Sequence, residues 1–405
     1  MNLSSAAENS TLRHLIAQRI QASALPGISF AEYMDLALYQ PDWGYYASQK
    51  PSLGPTGDFV TSPHLGHDFG ELLAVQLAEF WHCLGQPEPF SLVEMGAGQG
   101  LVAADVLAAL SQDDADCFAA VEYTIIEKSA ALMQEQQRRL RPWQDKGVKL
   151  QWRSLAEIPE SSVTGCFFSN ELVDAFPVHR VVLTETGLQE IYVTLTNASD
   201  EPKFQDAVGP LSTPELSAYF ELVGIDLAPP RYPVGYQTEI NLAALDWITT
   251  VAQKLRRGYL LTIDYGYPAS RYYGPSRSQG TLQAYYRHAH HSDPYAHVGQ
   301  QDLTAHVDFT ALERQGERCG LQKLEATQQA MFLMALGLGD RLDALAAITE
   351  TDGKTIQAAL RRRDLLHRLI DPMGLGNFGV LLQGKGLSAE ESGRSLRGFT
   401  IPPLM

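Results

Sequence analysis

Cysteine and positive charge are both scarce in this chain. Only four cysteines occur in 405 residues, Cys83, Cys117, Cys166 and Cys319, and no two stand at C-x-x-C spacing, which excludes a zinc ribbon and a dithiol redox motif. They read as reduced, structural thiols. Lysine and arginine together number 31 against 47 aspartates and glutamates, a formal net charge of −16. That deficit argues against nucleic acid as a partner, since a phosphate backbone needs a positive surface, and it leaves an acidic field that tolerates cationic ligands or substrates. No apolar run approaches the roughly 18 residues that span a bilayer. The opening stretch MNLSSAAENSTLRHLIAQRI has no apolar segment behind a basic patch and is not the Arg-rich, acid-free composition of an organelle leader. The expectation is therefore a soluble, cytoplasmic protein of bacterial type with no signal or transit peptide. Internal repeats and low-complexity tracts are absent too.

What remains is ordinary globular composition, 45% hydrophobic and 19% charged, on a length that allows two or three domains or one fold with large insertions. Residues 1–89 read as a helical and loop-rich lead-in. Apolar positions over 12–22 and 30–39 have helical spacing, turn chemistry follows at 41–46 and 54–59, and Ser62-Pro63 offers a capping hydroxyl and a first-turn proline to a helix over about 64–83. From Phe90 short apolar strands alternate with amphipathic segments, the pattern of a parallel sheet covered on both faces. Strands are expected at 91–95, 123–127, 149–152, 166–169 and 259–264, with helices at 101–110 and 130–139 among them. Two more strands at 321–328 and 378–383, as a hairpin-like pair, bring the sheet to seven, and helices are expected at 330–348 and 355–370. The stretch 181–235 is too long for one crossover and carries strand-like runs at 181–184 and 190–195, so it reads as an insertion. A second insertion, rich in Tyr, His and Gly, covers about 268–309.

In Leu92-Val93-Glu94-Met95-Gly96-Ala97-Gly98-Gln99-Gly100 a buried strand runs into a glycine turn and then a helix from near Leu101. Glycines there let the backbone approach a ligand and aim the helix N-terminus at it. A dinucleotide fingerprint needs G-x-G-x-x-G, yet the third glycine comes one residue early and Leu101 holds the fingerprint position, which disfavours a nicotinamide site. The turn is instead similar to the E/D-x-G-x-G-x-G of class I S-adenosylmethionine-dependent methyltransferases. Their cofactor carries an ammonium and a sulfonium, so Glu94 is an asset beside it where beside a pyrophosphate it would be a liability. Glu127 closes the next strand, where a carboxylate accepts both hydroxyls of a ribose.

Asn170, Glu171 and Asp174 put an amide and two carboxylates directly after the fourth strand, at the carboxyl edge where open α/β sheets bind ligands. Methyl transfer is an in-line displacement, so the nucleophile must be delivered close to the methyl and in its reactive state. Arginine keeps its proton in water; two carboxylates can hold a guanidinium's charge on two nitrogens and leave the third to attack. Capping of a following helix is the other employment open to Asn170 and Asp174.

With these motifs, and with Gly57-Asp58-Phe59-Val60-Thr61-Ser62-Pro63, Asp264-Tyr265-Gly266, Gly280-Thr281-Leu282 and Asp302-Leu303-Thr304-Ala305-His306-Val307-Asp308-Phe309, the chain resembles the MidA-like family of S-adenosylmethionine-dependent methyltransferases over almost its whole length. The resemblance implies a class I, Rossmann-like α/β fold, a seven-stranded sheet with a helical N-terminal lead-in that covers the cofactor site and two large insertions. It implies S-adenosyl-L-methionine as cofactor and protein-arginine N-methylation in assembly of respiratory complex I, here on a subunit of a related NADH-dehydrogenase-like complex. Carried over by position, Glu94, Gly96, Gly98, Gly100 and Glu127 become cofactor contacts, Asn170 lies near the methyl-bearing end, and Thr61 and Ser62 stand on the cofactor side. Glu171, Asp174, Asp308 and His306 become the catalytic candidates, His306 or Asp308 bonding the substrate or bracing Glu171. Better known arginine methyltransferases carry two glutamates in one hairpin after the fourth strand; Asp174 in place of the second leaves the dimethylation geometry open. Competing readings are a non-catalytic assembly factor that keeps the fold as a docking scaffold, and a methyltransferase for another substrate. The sequence sets no oligomeric state, a homodimer being one that it allows.

Five of the eleven histidines, His288, His290, His291, His297 and His306, crowd into one segment. The spacing invites a metal, but methyl transfer needs none, and the segment reads as a metal-free loop over the substrate mouth. Arg361-Arg362-Arg363 reads as part of a solvated helix face.

Overall fold

The runs expected as strands assemble into a seven-stranded sheet: β1 Phe90–Met95, β2 Val121–Ile126, β3 Lys149–Arg153, β4 Val163–Asn170, β5 Leu255–Asp264, β6 Gln322–Gln328 and β7 Gly379–Lys385. The computed structural model describes residues 3–46, 61–196, 201–287, 289–348 and 352–401. Gly57 to Val60 of the lead-in motif, and His288, lie outside these residues. Strand order is β6-β7-β5-β4-β1-β2-β3. β1 to β5 are parallel, while β7 runs antiparallel between β5 and β6. The chain begins mid-sheet at β1, steps outward to β3 and returns to the other side of β1 with β4. Strand order thus reverses between β1 and β4, and such a switch point leaves a crevice at the carboxyl ends. Central strands covered on both faces are near-continuously apolar, as Tyr259, Leu260, Leu261 and Ile263 of β5 are, all buried.

Helices α1 Asp68–Cys83, α2 Leu101–Asp113 and α3 Ala130–Asp145 belong to the same unit. On α1 the buried Phe69, Leu72, Leu73, Leu77 and Phe80 recur at the spacing of one helical face, and Phe80 stacks on Tyr259 of β5 with centroids 4.1 Å apart. Two expectations are corrected here. The helix at 64–83 is a 3-10 turn, Ser62–Leu65, followed by α1, with Gly66 at φ +131° between them. The helix at 330–348 is broken at Gly337, φ +111°, into Gln329–Leu333 and Gly339–Ala346 on either side of a wide turn. Arg361 to Arg363 are exposed on the helix Gly353–Leu369, as expected, and Arg362 in addition donates from Nε and Nη2 to the Asp68 carboxylate at 2.9 and 2.6 Å, where Arg341 joins it at 2.6 Å. A buried carboxylate is tolerated when paired in this way.

The sheet unit comprises the described residues within 60–172, 249–265 and 316–405; those within 1–59, 173–248 and 266–315 form a second compact unit. The boundary expected at 89 falls instead near 60, and both insertions are wider than 181–235 and 268–309. Segments of that length must bury their own apolar faces. Leu12, Ile16, Phe30, Tyr33, Val193 and Leu303 pack together in one such core. An antiparallel sheet of five strands, Ile28–Ser29, His179–Thr184, Gly187–Leu195, Phe204–Gly209 and Gln237–Ile240, and a three-stranded one, Gln283–Tyr286, Ala289–His291 and Asp302–Thr304, organise this unit. Among the described residues no helix is long and apolar enough to cross a membrane.

Candidate functional site

β1 ends at Met95, and the chain turns through Gly96 to Gly100 into α2. Gly96 and Gly98 have φ of +73° and +52°, a region that side-chain-bearing residues avoid. A Cβ at Gly96 would also stand 2.7 Å from Leu172 Cδ1, so the turn is packed against the segment after β4. A Cβ at Gly98 would meet no heavy atom within 4 Å; open space adjoins the backbone there, beside the α2 N-terminus. Gly100 caps α2 at φ +74°. Gln136 of α3, fully buried, secures the turn from behind. Its amide nitrogen donates to Gly98 O at 2.7 Å and to Glu127 Oε2 at 3.0 Å, while its oxygen accepts Trp152 Nε1–H at 3.0 Å. Arg139 Nε donates to Gln99 O at 2.8 Å.

Glu127 follows β2 directly, beside the turn, because Gly96 N–H donates to Ile126 O at 3.0 Å. Its Oε1 accepts Ser129 N–H at 2.8 Å, burial raises its pKa, and its fixed, partly exposed carboxylate keeps lone pairs for two vicinal hydroxyls. Glu94 is different. It is 4% exposed, its Oε2 accepts the Tyr123 hydroxyl at 2.7 Å, and burial pushes its pKa up to about 7. The carboxylate expected to meet a ligand lies inside the packed layer instead.

β4 ends at Asn170, and Glu171 takes φ +52°, a conformation that costs a non-glycine residue about 1–3 kcal/mol. The surroundings impose it: Glu171 N–H donates to Ile263 O at 2.9 Å, and Leu172 N–H donates to Asp264 Oδ2 at 3.1 Å. Asp264, buried at the end of β5, also takes Tyr265 N–H at 2.9 Å on Oδ1. The Glu171 side chain is equally fixed, its Oε1 accepting Ser62 N–H at 3.2 Å and Asn170 Nδ2–H at 3.1 Å. Asn170 Oδ1 is buried without a hydrogen-bond partner; an acceptor left so costs about 1–3 kcal/mol, and a donor on a ligand would satisfy it. Ser62, expected on the cofactor side, has its N–H on Glu171 and its hydroxyl donating to Gln329 Oε1 at 3.2 Å, so it braces Glu171. Thr61 turns its N–H and hydroxyl to His64 Nδ1, at 3.3 and 2.7 Å.

Asp174, His306 and Asp308 belong to the second unit. Asp174 sits on a single 3-10 turn, Val173–Ala175, and the next element is the strand His179–Thr184; no α-helix follows for it or Asn170 to cap. Its carbonyl accepts Ala305 N–H at 2.9 Å, next to His306. The His306 ring packs edge-on to Tyr267, centroids 5.2 Å apart, and burial, together with Arg277 and Arg271, lowers its pKa to about 4. It is a neutral imidazole at physiological pH. Asp308 Oδ1 accepts Thr310 and Ala311 N–H at 3.0 and 3.3 Å and its Oδ2 accepts the Tyr219 hydroxyl at 3.1 Å. Oδ1 thus caps the helix Phe309–Arg318 while Oδ2 is held by the helix Glu215–Val223, and burial pushes the carboxyl up to about 7. Among the described residues no three His, Cys, Asp or Glu converge as a metal site.

One unit therefore brings together Thr61, Ser62, Glu94, Gly96, Gly98, Gly100, Glu127, Asn170 and Glu171, while Asp174, His306 and Asp308 cluster in the other. Sequence reasoning missed Gln136, Tyr123 and His64, and gave no role to Asp264. A lone polar residue on an amphipathic element leaves no periodic signal; only the strand-end position of Asp264 could have marked it.

Residues 72–327 match a family model described as "putative S-adenosyl-L-methionine-dependent methyltransferase". The mitochondrial protein arginine methyltransferase NDUFAF7 of Mus musculus is 31% identical over 360 residues, which is 82% of this chain and 76% of that protein. The mitochondrial protein arginine methyltransferase NDUFAF7 homolog of Drosophila melanogaster is 30% identical over 400 residues, 92% of this chain and 86% of that one. A crystal structure of a superfamily member from Burkholderia thailandensis, bound to S-adenosyl-homocysteine, is similar with a TM-score of 0.83 at 32% identity, covering 98% of this chain and 97% of that one.

Proposed function

We propose, from the premise that this chain belongs to the family of S-adenosyl-L-methionine-dependent methyltransferases, that it methylates an arginine side chain of a protein, a subunit of an NADH-dehydrogenase-like complex during assembly. The chain is a methyltransferase enzyme with the class I fold, and S-adenosyl-L-methionine is its cofactor. Its residues fit that cofactor: the open space at Gly98, the fixed Glu127 carboxylate for the ribose hydroxyls, and the orphaned acceptor on Asn170. When bound, the cofactor supplies a methyl group on a positively charged sulfur.

The observation that carries the arginine reading is the pinned carboxylate of Glu171, held in left-handed backbone one residue beyond β4. A guanidinium enters charged. As one of its nitrogens bonds the methyl, the carbon–sulfur bond breaks with its electron pair left on sulfur, and one proton must leave the nitrogen. Glu171 holds the guanidinium and accepts that proton. The relatives named as protein arginine methyltransferases support this choice of nucleophile, and the resemblance to the MidA-like family supports the respiratory subunit.

The test combines labelled methyl donor, purified protein and an extract of cells that lack it, with mass spectrometry of the labelled band. Methylarginine in a respiratory NADH dehydrogenase subunit is expected. Glu171→Gln should lower kcat 100-fold or more, about 2.7 kcal/mol of barrier, with cofactor affinity changed less than threefold. Label confined to lysine or small molecules, or a rate untouched by Glu171→Gln, would sink the reading.

A further inference from the structure

We infer that His64 donates a hydrogen bond to the carboxylate of the cofactor's methionine end, an inference that rests on the cofactor assignment above. His64 lies on the 3-10 turn Ser62–Leu65. Its Nδ1 receives Thr61 N–H at 3.3 Å and faces the Thr61 hydroxyl at 2.7 Å. A backbone N–H can only donate, so Nδ1 carries the lone pair, and in a neutral imidazole the proton then sits on Nε2. A ring with a lone pair on Nδ1 is neutral, and burial lowers its pKa in the same sense, Arg139 adding to the effect while the Gln99 side chain against the ring opposes it. His64 Nε2 is buried and has no hydrogen-bond partner of good geometry. The tautomer thus leaves a buried N–H whose contact with the Gln99 side chain falls short of hydrogen-bond geometry.

The surroundings say which acceptor this N–H fits. The Gln99 side chain lies against the ring, which places His64 at the glycine turn, one residue from the open space at Gly98. Arg139 approaches the same corner, its Nε on Gln99 O, and the N-terminus of α2, a 13-residue helix, opens beside it. The helix N-terminus and Arg139, which also pairs with Glu135 at 3.4 Å, thus stand beside the His64 N–H in a chain whose net charge is −16. S-adenosyl-L-methionine carries one anionic group, the α-carboxylate; its ammonium and sulfonium are cationic, and its ribose and adenine neutral. A carboxylate is the ligand group that this corner selects, and Thr61 acts behind it by fixing the His64 tautomer.

Decarboxylated S-adenosylmethionine, which keeps the ammonium and the sulfonium, separates the possibilities. Calorimetric titration of the full chain should show His64→Ala weakening S-adenosyl-L-methionine about tenfold, about 1.4 kcal/mol, while affinity for the decarboxylated analogue stays within twofold. His64→Gln, which retains a donor nitrogen, should stay within threefold of the wild type for both ligands, and keeps the test alive should the alanine variant not fold. Equal losses for the two ligands, or no loss for S-adenosyl-L-methionine, would overturn the inference. A wild-type protein that binds neither would overturn the cofactor assignment and this inference together, so the two failures are told apart.

Discussion

Glu94 shares its carboxyl with the Tyr123 hydroxyl in the packed layer and titrates near 7 where a free glutamate titrates at 4.5. An acid whose folded pKa lies above its unfolded one binds more protons in the native state. Its stabilising contribution is complete below about pH 4.5 and is lost as pH rises through about 7. Glu94→Gln removes this term, so the variant should gain up to about 3 kcal/mol on the wild type between pH 4.5 and 8. Denaturant melts at both pH values measure it, and an equal difference at the two would refute it. Asp308 titrates in the same sense, so the variant keeps a shallower slope rather than none. Gln136→Leu should cost stability by about 2–3 kcal/mol, because the Trp152 N–H is left without its acceptor and two donors to the site vanish. The same change should loosen cofactor binding about tenfold, read by calorimetry. The sequence singled out Glu94, Glu127 and Asp308 as carboxylates at strand ends or in motifs, but not the Tyr123 and Tyr219 hydroxyls that occupy the first and the last. Gln136 and His64 act through tertiary contacts to the turn, which no local pattern encodes.

The glycine turn, as an element, divides its two duties between neighbouring glycines. Gly96→Ala drives a methyl into Leu172 and adds backbone strain, so about 2 kcal/mol or more of stability should go. Because Leu172 follows Glu171, turnover should fall with it. Gly98→Ala meets nothing in the protein; its stability should drop by only about 1 kcal/mol, while its methyl occupies ligand space and weakens the cofactor at least tenfold. Thermal melts and titrations of both variants check the contrast, and a Gly98→Ala protein that binds as tightly as wild type would contradict it. The strands were legible for a physical reason: β1, β4 and β5 are largely buried and each carries a short apolar stretch, Leu92-Val93, Cys166-Phe167-Phe168 and Tyr259-Leu260-Leu261. The helix break at Gly337 was not, because the apolar spacing continues on either side of it and glycine alone does not distinguish a tolerated helix residue from a hinge at φ +111°.

For the molecule as a whole, cofactor binding is linked to stability. At a hundredfold excess over Kd a ligand that binds only the folded form stabilises it by about 2.7 kcal/mol, so S-adenosyl-L-methionine should raise the melting midpoint and Glu127→Ala should abolish much of that rise. A midpoint that ignores the cofactor would count against the site. The lead-in and the two insertions were legible as segments, but not that they gather into one unit of their own, since local composition does not say which distant stretches pack together. The strand order shared that fate at one point: β6 and β7 were expected as a pair, but nothing in their composition says that the later strand inserts beside β5. This insertion governs how the protein comes off the ribosome. Until residues 379–385 are made, β5 shows a bare edge ten residues long, Leu255–Asp264, rich in buried-type side chains, and such an edge recruits strands from other chains. A nonsense codon between β6 and β7 therefore yields an aggregation seed in place of a weakened enzyme.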